Sequence, residues 1–300
     1  MLHRALTVLA APSNLGLRPP EPGSVPGVVK APEALREAGL HAGLVSRGAN
    51  EAGVVLSGRY RDDWRPGSGR IRNQEALLEH AASLAARLAG LLDDRAWPLV
   101  LGGDCSILIG IGVALKQRGR FGLIHLDGHT DFRNPGNSDD CASLAGEDLA
   151  AVTGKHWPQI SDVAGLGPYF DPADAVHAGC RDDDAELDEV RCHLAGLFTS
   201  AQIRQSPSAV AAGLLNSLPS GLDGVWLQLD VDILDPEIMP AVDAPDPDGI
   251  DWAELEALLA VLLPRVSGMS LTVFDPDLDP DGSLARRLSS MLLSLLADES

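Results

Sequence analysis

At 300 residues the chain is long enough for one large domain or two small ones, and 45% hydrophobic with 22% charged residues is a globular composition, not a disordered, collagenous or coiled-coil one. Lys and Arg number 23 against 43 Asp and Glu, and the formal net charge of −20 repels phosphate backbones and anionic lipid, which argues against nucleic-acid or membrane-surface partners. The four cysteines, Cys105, Cys141, Cys180 and Cys192, have no paired spacing, so free thiols or ligands in a reducing cytoplasm are expected.

The apolar run 5–11 follows Arg4 but is short and leads into Pro12-Ser13-Asn14, so it reads as a first buried strand over 6–10 and not as a secretory signal. A helix follows over 32–38. A longer one is predicted over 73–92, where Leu77, Leu78, Ala81, Leu84, Leu88 and Leu91 recur at helical spacing. The apolar stretch 99–115 is interrupted by Gly102, Gly103 and Asp104, which makes it a strand (98–101), a turn and a helix (107–116) and excludes a membrane span. Then come a strand over 123–126, a helix over 147–153, strands over 175–178 and 197–198, and a helix over 210–217. A strand over 225–231, a helix over 252–263, a strand over 269–274 and a closing helix over 284–296 complete the series. Continuously apolar strands separated by helices predict a parallel sheet covered on both faces, with ligands bound outside the carboxyl ends of the strands. No internal repeat or low-complexity linker divides the chain. The polar, Gly- and Pro-rich loops 59–69 and 134–142 are expected to surround the site.

Three segments at those strand ends carry chemistry. The first is Asp127-Gly128-His129-Thr130-Asp131. If the strand runs on to Asp131, alternation points Asp127, His129 and Asp131 to one side, and two carboxylates with an imidazole make an oxygen and nitrogen metal site. A polar strand end with a surface histidine is the competing account. The second is Asp230-Val231-Asp232, followed by Asp235-Pro236. Two like charges at the end of a buried strand are costly unless a cation balances them, whereas Asp235 before proline is a turn residue. The third is Gly102-Gly103-Asp104-Cys105-Ser106, in which the glycines allow a sharp turn and Cys105 is either a ligand or a small buried apolar residue.

In this order the three motifs resemble those of the ureohydrolase superfamily of arginases, agmatinases and formimidoylglutamases. The likeness extends to Gly27…Ala31-Pro32 with Leu35-Arg36 near the start and to Pro276, Leu278 and Asp279 near the end. It implies a single domain over 1–300, a three-layer α/β/α sandwich around a mostly parallel, about eight-stranded sheet. It also implies a cytoplasmic hydrolase, trimeric or hexameric, that uses two Mn²⁺ ions to cleave a C–N bond in a guanidino or amidino small molecule, releasing urea or a related product. Carried over by position, it implies one ion held by Cys105, Asp127, Asp131 and Asp230 and the other by His129, Asp127, Asp230 and Asp232. Asp127 and Asp230 would bridge, and Asp127, His129 and Asp230 would be the catalytic residues. Two divalent cations lower the pKa of a shared water, giving a nucleophile at neutral pH.

The chain departs from the family pattern in three places. Cys105 stands where the family has histidine, and a thiolate there favours Zn²⁺ or another softer ion, while a thiol would leave that site weaker. Val273 occupies the position of the family's guanidinium-binding glutamate. Ala145-Gly146 falls where arginase-like members have His-Gly. Asp243 could supply a replacement carboxylate for a cationic substrate, or it is a solvated loop residue. The stretch Arg181-Asp182-Asp183-Asp184 with Glu186 resembles the family's substrate-binding acidic loop, which makes Asp182 and Asp184 candidates, and Arg133 could bind a substrate carboxylate. His125 is expected to be a buried supporting residue and His156 a candidate proton shuttle. The losses leave room for a modified, less basic guanidine such as a hydroxyguanidine, or for a catalytically degenerate member.

Overall fold

Parallel strands need long crossovers, and the alternation of apolar runs with amphipathic segments supplies them. The computed structural model describes residues 5–296. Its strands are β1 (Leu6–Ala11), β2 (Asn50–Val54), β3 (Trp97–Gly102), β4 (Phe121–Leu126), β5 (Ala175–Ala178), β6 (Gly196–Phe198), β7 (Gly224–Asp230) and β8 (Gly268–Thr272). They form one eight-stranded sheet in the order β2-β1-β3-β8-β7-β4-β5-β6, with every neighbouring pair parallel.

Successive side chains of a strand enter different layers. Val8, Leu99, Leu101, Ile124, Leu126, Leu227 and Leu229 join one core cluster, with residues of the helices Ala31–Glu37, Pro207–Ser217, Trp252–Leu262 and Ser283–Leu295. Leu9, Val100, Leu123 and Trp226 join another, under the helices Gln74–Asp93 and Leu108–Lys116. This period-two division is why the strands are apolar throughout and why helices cover both faces. The second face turns polar towards the carboxyl ends. Below Leu123 lies His125, below Trp226 lies Gln228, and Ser270 and Thr272 of β8 share that face, all buried.

The elements expected from sequence appear, with ends shifted by a few residues. Sequence patterning does not reveal β2, an edge strand whose five residues are mostly exposed and include Gly53. Nor does it reveal the short helices Leu40–Val45, Leu187–His193 and Ser200–Gln205, six or seven residues each and too brief to show a period. One expectation fails outright. β4 stops at Leu126, the chain bends at Gly128 and His129, and Asp131 has φ +47°. Alternation along a continuing strand therefore does not align Asp127, His129 and Asp131. A folded-back loop brings them together.

Candidate metal centre

The four central strands β3, β8, β7 and β4 are consecutive in the sheet, and residues following their carboxyl ends meet. After β3 the chain passes so close to β1's loop that a Cβ on Gly103 would lie 1.7 Å from the carbonyl oxygen of Ser13. Asp104 fixes this turn: one carboxylate oxygen accepts from the Ser106 amide (2.9 Å), and the other accepts from the Ser13 hydroxyl (2.8 Å) and the Gly16 amide (3.2 Å). Asp104 is thus an anchor. Its reward is the position of Cys105, whose fully buried Sγ donates to Asp230 Oδ2 at 2.9 Å. Sγ also lies 2.9 Å from Thr272 Oγ1 and accepts from Gln228 Nε2 at 3.4 Å. Gln228 is held in turn by Ser270, which accepts from Trp226 Nε1 at 2.9 Å.

The bend after β4 is pinned by its own backbone. The His129 amide donates to Asp127 Oδ1 (2.8 Å), the Gly128 amide to Asp232 Oδ1 (2.9 Å), and the Asp232 amide to Asp230 Oδ1 (2.8 Å). His129 points Nδ1 at Asp232 Oδ2, 2.9 Å away, while its Nε2 is 3.1 Å from Asp246 Oδ2. Asp184 accepts from both the amide (2.9 Å) and the hydroxyl (2.6 Å) of Thr130, so its carboxylate braces the bend.

Ligand-type atoms within 4.8 Å of one another occur in overlapping groups: Cys105 with Asp127 and Asp230, Cys105 with Asp131 and Asp148, His125 with Asp127 and Asp131, and Asp127 with His129 and Asp232. Asp127 recurs in three of these four, the position a bridging ligand needs. Burial, and then the repulsion of neighbouring carboxylates, pushes the Asp127 carboxyl well above its ordinary range. Asp131 is pushed up by burial and next by Asp148, and Asp230 by burial and next by Asp232. The Cys105 thiol is raised by burial and then by Asp230. His129 behaves in the opposite sense. Burial alone would lower it, but Asp232 and the other acids outweigh that and raise it to about 10. Asp127 Oδ2, both oxygens of Asp148 and Nε2 of His125 are buried without a hydrogen-bond partner. Orphaned carboxylate oxygens packed this closely suit a divalent cation.

Above the cluster opens a cavity of about 760 Å³. His129, Asp131, Asp230 and Asp232 reach its floor, and Arg133, Asp184, Glu186 and Asp243 its walls. Asp243 is exposed to it. The structure does not bring Asp182 here; it borders a separate surface pocket beside Arg181 and Arg204. Nor do the loops 59–69 and 134–142 line the cavity. Residues 17–21 and 24–27, rich in proline and without a period, form that wall. Val273 lines it too, at φ +70°, a conformation unfavourable for a β-branched residue. Its amide donates to the Gly103 carbonyl at 2.7 Å, which ties β8's end to the Cys105 turn. His156 is not poised as a shuttle, since its Nε2 is buried against Glu147 Oε2 at 3.0 Å. Asp235 makes the expected turn, accepting from the Glu237 amide at 2.9 Å. His125 is buried as expected, with Nδ1 3.0 Å from His177 Nδ1. Sequence patterning does not reveal two further participants: Asp148, an acid at a helix start where acids are ordinary, and Asp246, in a loop without a motif.

Fold and site together define a parallel three-layer α/β protein with a cluster suited to cations at the carboxyl edge of its central strands. The chain belongs to the arginase family, whose model matches residues 8–297. It is 28% identical over 304 residues to an arginase of Bacillus caldovelox, with 99% of each chain covered. The native structure of Bacillus caldovelox arginase superposes with a TM-score of 0.87 at 27% identity, covering 98% of this chain and 99% of that one. The formimidoylglutamase of Bacillus subtilis shares the fold at a TM-score of 0.72 and 20% identity, with 99% of this chain and 87% of that one covered. Among the described residues no helix is long and apolar enough to cross a membrane.

Proposed function

We propose that this protein is a metal-dependent hydrolase that cleaves a C–N bond of a guanidino or amidino small molecule. The observation that carries this is the convergence of Asp127, His129, Asp131, Asp230 and Asp232, with Cys105 beside them, beneath an open cavity. His129 Nδ1, Asp127, Asp230 and Asp232 would hold one ion, and Asp127, Asp131 and Asp230 would hold the other next to Cys105. Their oxygen and imidazole donors suit Mn²⁺, with Zn²⁺ the choice if the Cys105 sulfur ligates. Bound divalent ions would supply a water of lowered pKa and Lewis acidity. Asp246, at His129 Nε2, orients the imidazole so that Nδ1 faces the carboxylates. Asp184 holds the Thr130 backbone and so keeps the bend in place.

Asp243 and Glu186 present acids to a cationic substrate, and Arg133 can receive a carboxylate at the substrate's other end. Hydrolysis of a guanidinium consumes one water: the carbon keeps its oxygen as urea, and the departing nitrogen takes both protons and leaves as an ammonium. A weaker base, such as a hydroxyguanidine, is the second reading. Val273 favours it, because an apolar side chain there offers a guanidinium no partner. The family likeness supports a cytoplasmic homo-oligomer, trimeric or hexameric. The test is a panel of guanidino and amidino compounds offered to Mn²⁺-loaded protein, with urea, ammonia and amine measured. Turnover that disappears on chelation supports the proposal. Two bound ions with no turnover of any compound would point to the catalytically degenerate alternative.

A further inference from the structure

We propose that Asp148 takes the place of the missing imidazole at the first cation position, and that Cys105 stays a thiol behind it. This rests on the metal-dependent reading above and refines its donor set. The two candidates for a replacement donor differ in how far protein groups already satisfy them. Cys105 Sγ is already fully engaged. It donates to Asp230 Oδ2 (2.9 Å), accepts from Gln228 Nε2 (3.4 Å) and contacts Thr272 Oγ1 (2.9 Å). A thiol has no more hydrogen-bonding capacity than this. Asp148 is the reverse: its side chain is fully buried, and neither carboxylate oxygen has a hydrogen-bond partner.

Position agrees with this. Asp148 opens the short helix Asp148–Val152, and its donor atom lies within 4.8 Å of both an Asp131 carboxylate oxygen and Cys105 Sγ. It does not line the cavity, so it cannot be a substrate acid. His125 Nε2 is 3.5 Å from Asp148 Oδ1 and 3.8 Å from Asp127 Oδ2, and it too has no hydrogen-bond partner. A buried carboxylate with neither oxygen paired, beside an Asp131 carboxylate oxygen, suits a cation between Asp131 and Asp148. With Asp148 joining through Asp131, the first position would draw only on carboxylates, Asp127, Asp131 and Asp230 together with Asp148. Hard oxygen donors of this kind suit Mn²⁺ and not a thiophilic ion.

The experiment is metal binding, with no activity readout. The protein is loaded with Co²⁺, and the bound metal is counted by elemental analysis while the near-ultraviolet absorption is recorded. The proposal expects two Co²⁺ per chain and no sulfur-to-cobalt charge-transfer band. It expects Cys105→Ser to keep both ions. It expects Asp148→Asn to weaken one site by more than the roughly 10–100-fold that losing a supporting group costs, with the other site intact. A charge-transfer band that Cys105→Ser abolishes overturns it, as does Asp148→Asn binding both ions with unchanged affinity. If Asp148→Asn does not fold, the spectrum of the unaltered protein still decides. A wild type that binds no divalent ion overturns the metal-dependent reading and this proposal together, whereas two tightly bound ions in both wild type and Asp148→Asn overturn this proposal alone.

Discussion

The two ends of the acidic cluster are built differently. At the His129 end every charged group has a partner: Nδ1 faces Asp232, Nε2 faces Asp246, and backbone amides from Gly128 and His129 satisfy carboxylate oxygens. The Asp232 carboxyl is held down at about 2, because His129 and the hydrogen bonds outweigh the opposing effect of burial. At the Asp148 end, Asp127 Oδ2 and both oxygens of Asp148 are buried without a hydrogen-bond partner, and burial drives the carboxyls of Asp148 and Asp131 upward. One end is preorganised by protein groups. The other is left for something that is not protein. Preorganised and incomplete halves of one cluster imply unequal sensitivity to substitution.

The largest effect is expected where the halves join. Asp127→Ala removes the residue shared by the most groups, so it should abolish turnover and empty both positions, as read by elemental analysis and urea release. Retention of two ions and full activity would break the assignment. Asp243→Asn should leave both halves filled, because Asp243 is on the cavity wall. It should lower kcat/KM for a cationic guanidine by roughly 1.5–3 kcal/mol, the worth of a charged hydrogen bond, and cost a weakly basic substrate much less. Kinetics on two substrates of different basicity check this. Asp246→Asn sharpens the contrast within the cluster. It should weaken only the His129 position, by about 10-fold, the low end of what an orienting partner contributes, since Asp246 is 61% exposed. Isothermal titration with Mn²⁺ would show one site shifted and one unmoved.

The smallest expected effect lies outside the cluster and separates its behaviour from that of the fold. His80 is buried with Nε2 3.0 Å from the Val55 carbonyl, and burial lowers its pKa from 6.5 even though that hydrogen bond opposes the shift. The unfolded chain therefore binds the proton more readily, so stability is full above pH 6.5 and falls as pH drops through 6.5 towards the folded value. Thermal unfolding of metal-free protein between pH 7 and pH 5 should show a slope of that sign, and His80→Gln should make it shallower without removing it, because burial lowers His41, His125, His177 and His193 as well.

The sheet was largely legible because parallel strands buried on both faces are apolar along their length. The exposed edge strand β2 and the shortest helices were not, for the same reason in reverse. Cys105, Asp127, His129, Asp131, Asp230 and Asp232 were legible because each ends or follows an apolar strand, so its place at the sheet edge can be read from the pattern. That Asp131 arrives through a left-handed bend was not, because alternation says nothing once a strand ends. Asp148 was hidden by its ordinary location at a helix start. Asp182 is a candidate through the likeness of its loop to the family's acidic loop, yet the loop turns it towards another pocket while Asp184 stays at the cavity. The cavity wall came from residues 17–27, whose prolines and glycines carry no periodic signal.

The central claim, two cation positions of unequal construction sharing Asp127, is tested most directly by an anomalous-scattering map of crystals grown with Mn²⁺. The account predicts two peaks within coordination distance of Asp127, one beside His129 Nδ1 and Asp232, the other among Asp131, Asp148 and Asp230. A single peak, or two peaks that leave Asp127 out, would contradict it.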